Sequence, residues 1–367
     1  MKHKKIVIAG GTGFIGQAMA RHFGKDNHVI LLSRQAVSHQ NNNYHHQLIK
    51  ATDGYNITYW RWDALHVENH WLLDVEGADI VINLAGKSVN CRYTEKNKQQ
   101  IITSRTQSTK TIGDAIRQCV VPPKLWINAT SATIYRHTTD HPNDEFTGVI
   151  SDAKDDNMPY SFFDQVRRQC SKCITRLREG RHRARYKTLD KDFSVQVCQY
   201  WEKAFFEQRT PFTRKIALRA AVTLGRGGVM VPYFNLLKAG LGGYQGNGEQ
   251  MYSWVHEEDL CRIVEWCYEH NNMEGIYNCS APKAVTNADF MRTLRRITGH
   301  KVGLRAFNWM LEAGAALIGT ETELILKSRW VYPAKLLQSG FSFKYNEVEH
   351  ALTEIIEKTP RRKYHLF

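Results

Sequence analysis

Residues 10–16 read Gly-Gly-Thr-Gly-Phe-Ile-Gly, which places Gly10, Gly13 and Gly16 at every third position, directly after the apolar run at 5–9 and before a helical pattern. This spacing suits the binding of a pyrophosphate. The first glycine lets the chain turn sharply off a strand, the second lets the backbone touch phosphate, and the third lets a helix pack close to the sheet. Thr12, Phe14 and Ile15 complete the turn. The helix that follows would offer its N–H groups and the positive end of its dipole to the phosphates. The second strand-like run ends at Ser33 and Arg34, where an NAD site carries a carboxylate for the ribose 2′-hydroxyl. A hydroxyl and a guanidinium suit a 2′-phosphate instead, so NADP is expected over NAD.

Apolar, β-branched runs at 5–9, 28–32, 57–61, 79–84, 124–129 and 214–219 predict strands buried on both faces. Helical patterns lie between them, notably at 94–119 and 192–208. The alternation predicts an α/β fold with a doubly wound parallel sheet over 1–224. From Gly225 the chain is glycine-rich and then mostly helical to 358, which predicts a smaller substrate domain over 225–367, set on the sheet's carboxyl edge. Segment 150–191 reads as an insertion, a basic amphipathic helix followed by an Arg-His-Arg-Ala-Arg-Tyr-Lys loop.

The chain has 367 residues, 42% hydrophobic and 23% charged, which excludes a disordered or fibrous protein. Its net charge is +14. Residues 1–5 carry three of those charges, 161–187 a net seven and 358–367 four, so the remaining body is neutral. A nucleic-acid footprint would colour the main body as well, so no nucleic-acid partner is expected. The basic insertion leaves open a lid, an acidic partner, a membrane surface or a plain solvated helix. No secretory signal precedes the first strand, and the apolar stretch 309–319 is short and holds Glu312, so no transmembrane segment is expected. Eight scattered cysteines without such a signal predict a reduced, cytoplasmic protein. The close pair Cys170 and Cys173 has no second pair at metal spacing, so no metal is expected.

Taken with Trp62-Asp63, Asn83 to Gly86, Arg92-Tyr93-Thr94, Ser104-Arg105, Ser131-Ala132-Thr133, Trp201-Glu202, Leu218-Arg219, Ser253 to His256 with Asp259, and 282–290, the glycine turn carries a resemblance over nearly the whole chain. The sequence resembles the extended short-chain dehydrogenase/reductase superfamily, and within it the nucleoside-diphosphate-sugar epimerase group with a C-terminal domain of unknown function. The resemblance implies a Rossmann sheet and a small polar, nucleotide-sugar-like substrate. It implies that Asp63 and Ala64 flank the adenine, that Leu84, Ala85 and Gly86 line the ribose and pyrophosphate, and that Ser104 adds a cofactor contact. Ser131 falls where the superfamily holds its catalytic hydroxyl, which hydrogen-bonds the reacting substrate oxygen.

The superfamily's acid/base, a tyrosine with a lysine four residues later, occurs nowhere in this chain. Anchored on Glu202, those positions hold Ser194 and Cys198, which supply neither phenolate nor ammonium. Two replacements are expected to be in reach: Tyr135, four residues after Ser131, and His256, which would sit with Trp254 near the mouth of the pocket. Arg92, Lys98 and Arg105 are either anion-binding candidates or plain helix-surface residues. Two functions follow: an NADP-dependent oxidoreductase or epimerase on a small-molecule substrate, or a catalytically inactive NADP-binding regulator of the kind associated with cell division.

Overall fold

A computed structural model of the chain describes residues 1–34, 54–151, 193–305 and 329–365. The expected insertion at 150–191, the Cys170/Cys173 pair and the apolar stretch at 309–319 lie outside the described residues, apart from Ile150 and Ser151.

The chain runs β1 (Lys5–Ala9), α1 (Phe14–Phe23), β2 (His28–Ser33), β3 (Ile57–Arg61), α2 (Asn69–Val75), β4 (Ile80–Asn83), α3 (Glu95–Gln118) and β5 (Leu125–Ser131). It continues through α4 (Phe193–Phe206), β6 (Arg214–Ala220), β7 (Val222–Leu224), α5 (Met230–Lys238), β8 (Met251–Tyr252), β9 (Trp254–His256) and α6 (Glu257–Glu269). Last come β10 (Gly275–Cys279), β11 (Val285–Thr286), α7 (Asn287–Thr298), α8 (Ala334–Gln338) and α9 (Val348–Glu357). Seven strands form one parallel sheet in the order β10-β6-β5-β4-β1-β2-β3.

The two-sided apolar pattern of the strands explains the layers. Ile6, Ile8, Val29, Leu31, Ile80, Ile82, Leu125 and Ile127 point into one core with Met19 and Phe23 of α1 and Ile263, Val264 and Cys267 of α6. Their alternates Val7, Ala9, Ile30, Leu32, Val81 and Trp126 fill the opposite core with Trp71 of α2, Ile112 of α3 and Phe205 of α4. Helices on both faces leave the strands no wet side, so alternation of polar and apolar residues would be costly here.

The expected strands at 5–9 and 57–61 are those observed, and β5 runs two residues past its expected end, to Ser131. The stretch after Gly225 holds more helix than strand among the described residues, as expected, but is not wholly helical. It contains four strands, and β10 returns to the main sheet beside β6, pairing Ile276 with Ala217 and Asn278 with Arg219. The remainder packs around Leu224, Phe234, Trp254, Phe290, Leu294 and Leu352. No helix among the described residues is long and apolar enough to cross a membrane.

Candidate functional site: the carboxyl edge of the sheet

The glycine turn follows from β1 ending under α1. Gly10 has φ +80°, the left-handed region that favours glycine, and a Cβ there would lie 2.9 Å from the Leu84 carbonyl carbon and 3.0 Å from Ala85 Cα. At Gly16 a Cβ would lie 2.7 Å from both the Gly10 oxygen and Gly11 Cα, so α1 leans on the turn itself. At Gly13 the nearest atom would be 3.4 Å away, an ordinary contact, so the protein leaves room above this glycine. Gly13 is the N-cap of α1 and has no side chain to close the helix, and the first turn carries no carboxylate. The positive end of the helix is therefore left for an outside anion. A pyrophosphate fits that cradle.

Two polar contacts stiffen the turn. Gln17 Nε2 donates to the Gly11 carbonyl at 2.7 Å from inside the core, and Thr12 Oγ1 lies 3.1 Å from Ser33 Oγ, joining the turn to the end of β2. Gln17 escapes motif reading, although a glutamine at a sheet-facing position of an apolar helix is a signal for a buried hydrogen bond. Ser33 is buried and Arg34 is exposed beside it.

Next to them, at the end of β3, Asp63 accepts from the backbone N–H groups of Leu65 (2.7 Å) and His66 (2.9 Å), and from the His66 ring (2.6 Å). Burial raises its pKa, but these donors outweigh it and hold the carboxyl at about 2. Ala64 has φ +65°, strained for a residue with a Cβ, and Thr111 Oγ1 of α3 donates to its carbonyl at 3.0 Å. Asp63 and Ala64 thus form a tight turn beside Arg34, at neighbouring strand ends. The loop Leu84-Ala85-Gly86 lies directly against Gly10. Ala85 N–H donates to Asn83 Oδ1 at 3.1 Å. Ser104 accepts from Lys87 N–H (2.8 Å) and donates to the Ile101 carbonyl (3.1 Å), so its hydroxyl supports this loop from behind.

Ser131 closes β5. Its Oγ lies 2.9 Å from Thr133 Oγ1 and accepts from Thr133 N–H at 3.2 Å, capping the short 3-10 turn Ala132–Ile134. The Cys198 thiol of α4 is hydrogen-bonded to Ser131, and burial pushes that thiol up to about 12, so it stays protonated. Ser194, one turn earlier, is buried with its hydroxyl unpartnered among the described residues.

Neither expected substitute for the missing tyrosine is placed for proton transfer. Tyr135 is fully buried. Its hydroxyl accepts from Arg219 Nη1 at 2.9 Å and lies 3.0 Å from Asn278 Oδ1 and 3.2 Å from the Asp144 carbonyl. Burial raises its pKa, against the pull of Arg219, so the phenol stays neutral. Its role is to join β5, β6 and β10. His256 is 2% exposed and caps α6: Nδ1 accepts from Glu258 N–H at 3.2 Å, which leaves the proton on Nε2, 3.2 Å from Glu354 Oε2. Trp254 is buried too, its indole N–H donating to the Lys283 carbonyl at 3.1 Å, so neither lies at a pocket mouth. Of the anion candidates, Lys98 has a mostly buried side chain and pairs with Glu95 at 3.3 Å, whereas Arg105 lies against Gly86.

The His256 hydrogen bond, with the Lys358 ammonium 2.5 Å from the other oxygen, outweighs burial and holds Glu354 at about 2, below the ordinary 4.5. A depressed carboxyl stabilises the fold fully above pH ~4.5 and loses that contribution as pH falls toward 2. Glu354→Gln should therefore flatten the loss of stability between pH 4.5 and 2.5, measured by urea midpoints. An unchanged acid limb would refute the assignment.

A parallel sheet in this strand order, with a glycine turn between its first strand and first helix, is a Rossmann fold. Residues 6–165 match the model of the NAD dependent epimerase/dehydratase family, and residues 306–355 match a second model, a domain of unknown function (DUF1731). It is 29% identical over 356 residues to the epimerase family protein SERP0438 of Staphylococcus epidermidis, covering 96% of this chain and 99% of the relative. It is 28% identical over 361 residues to the human epimerase family protein SDR39U1, covering 96% and 99%. The crystal structure of human SDR39U1 (isoform 2) with NADPH superposes with a TM-score of 0.71 at 24% identity, over 96% of this chain and 99% of that one.

Proposed function

We propose that the protein binds NADPH at the carboxyl edge of its sheet and acts as an oxidoreductase or epimerase on a small polar substrate, without the superfamily's tyrosine. The observation that carries this reading is the uncapped N-terminus of α1 above Gly10 and Gly16, with space left at Gly13. The human relative crystallised with NADPH supports the choice of cofactor. Gly10, Thr12, Gly13, Phe14, Ile15 and Gly16 would hold the pyrophosphate, Leu84, Ala85 and Gly86 the ribose, Ser33 and Arg34 the 2′-phosphate, and Asp63 and Ala64 would border the adenine. Ser104 would act through the loop it supports.

When bound, the nicotinamide supplies two-electron redox chemistry. Ser131 then orients and polarises the substrate oxygen by hydrogen bonding, with Thr133 Oγ1 at 2.9 Å as its relay partner. Cys198, protonated, is itself neutral at the position where the superfamily holds its lysine. The expected result is tighter binding of NADPH than NADH, with Arg34→Ala narrowing the gap about tenfold through loss of a charge-assisted contact. Equal affinities in the wild type, by fluorescence titration, would remove the 2′-phosphate role. Ser131→Ala should lower turnover about a hundredfold or more with NADPH affinity unchanged, and full activity in that variant would refute its role.

A second reading, an NADPH-binding regulator, is favoured by the burial of both Tyr135 and His256, the two groups expected to replace the superfamily's tyrosine. A wide panel of carbonyl and nucleotide-sugar substrates that leaves NADPH unoxidised and sugars unepimerised would select it.

A further inference from the structure

Arg105 stands on α3 with its guanidinium against the loop after β4, where a Cβ on Gly86 would lie 3.1 Å from its Cζ and 3.3 Å from Nη1. Nη1 donates to the carbonyls of Lys87 and Ile101, both at 3.0 Å, and the guanidinium sits 5.0 Å from the Trp201 ring centre. Those contacts fix its plane. Nε and Nη2 have no hydrogen-bond partner, and no carboxylate pairs with the group, among the described residues. The side chain is partly open to solvent, so these donors are within reach of a ligand. Burial lowers the pKa of Arg105, with no carboxylate to offset it, yet an arginine keeps its proton at neutral pH. Its positive charge acts on the Cys198 thiol, pulling against the burial that raises it. The residue thus stands beside the Gly86 loop at the carboxyl edge of the sheet.

A preorientated guanidinium with two free donors and no counter-ion is built for a planar oxyanion. We propose that Arg105 is the anion-recognition residue of this cleft, and that the substrate presents a carboxylate to it while its reacting oxygen meets Ser131. This rests on the reading of the carboxyl edge as a catalytic cleft, and narrows the substrate class to small carboxylate-bearing carbonyl compounds or their alcohols. The other source of an oxyanion is a phosphate of the cofactor.

Calorimetric titration of malonate into the full-length protein, with and without saturating NADPH, separates the two sources. Malonate is expected to bind the NADPH-loaded wild type. Arg105→Gln should weaken malonate about tenfold or more, and change NADPH affinity by no more than about twofold. Arg105→Lys, which keeps the charge and loses the fork, should weaken malonate about threefold or more; it decides the matter should the glutamine variant fail to fold. The proposal is overturned by absence of malonate binding to the wild type at tens of millimolar, by equal malonate affinity in the folded variants, or by a parallel fall in NADPH affinity, which would give Arg105 to the cofactor. If NADPH fails to bind at all, the cofactor reading falls, while the malonate titration of the unloaded protein still tests the anion site.

Discussion

Gly13→Ala is expected to strip the protein of most of its dinucleotide affinity while leaving its stability nearly intact. The two effects separate because of where a methyl group would go. At Gly13 the backbone has φ −73° and ψ 171°, which alanine adopts freely, and the nearest protein atom to the new Cβ is 3.4 Å away. Nothing inside the fold objects. The methyl instead fills the space through which phosphate must approach the first turn of α1, and every hydrogen bond to that turn lengthens. The loss should be at least about tenfold in Kd, or ~1.4 kcal/mol, with Tm little changed. Gly16→Ala should do the reverse. Its Cβ meets the Gly10 oxygen and Gly11 Cα at 2.7 Å, backbone that can move only if α1 shifts off the turn. A cost of about 1–3 kcal/mol in stability is expected from such overpacking, and binding falls as a consequence. Paired thermal melts and NADPH titrations read both quantities; a Gly13→Ala protein with wild-type affinity would refute the pyrophosphate assignment.

The second large effect belongs to the pair behind Ser131. Arg219 Nε and Nη2 meet the two oxygens of Glu202 at 2.8 and 2.7 Å, with side chains 8% and 10% exposed. Arg219 also donates to Tyr135 and lies 4.9 Å from its ring centre. Arg219→Met removes the cation from a buried carboxylate and a donor from a buried phenol. The expected loss is about 3–5 kcal/mol, the range for breaking one side of a buried pair. Adding Glu202→Leu should recover much of it, because no charge is then left unpaired. Urea unfolding of the two single variants and the double variant completes the cycle. If the singles cost under about 1 kcal/mol, the pair is better solvated than its geometry implies.

The sheet was legible because its strands obey one simple requirement. Val7 and Ile8 face different cores and both must be apolar, so every such strand stands out from the amphipathic helices around it. β10 broke the pattern. Its sequence Gly-Ile-Tyr-Asn-Cys places a fully buried asparagine in mid-strand, and Asn278 is tolerated because it meets Tyr135, whose hydroxyl lies 143 positions away. The glycine turn was readable since its chemistry is local and its three residues follow one another. The fates of Tyr135 and His256 were not. Each is a polar side chain beside an expected cleft, and only distant partners, Arg219 for one and Glu354 for the other, turn the polar end inward. Arg105 presented the converse difficulty, since only Trp201 and Gly86, brought against it by the fold, set it apart from the other anion-binding candidates, Arg92 and Lys98.

The return of β10 to the sheet bears on how the chain is made. A nascent chain that has emerged only as far as Leu224 carries β6 with one ladder edge open, and an unpaired edge is a template for sticking to another chain. The fifty residues from 225 to 274 must follow before the strand that covers this edge begins. At roughly 5–20 residues per second, the edge stays bare for roughly 3–10 seconds of synthesis. Ile216 and Leu218, sealed in the finished protein, are then an aggregation hazard of the ribosome-bound state.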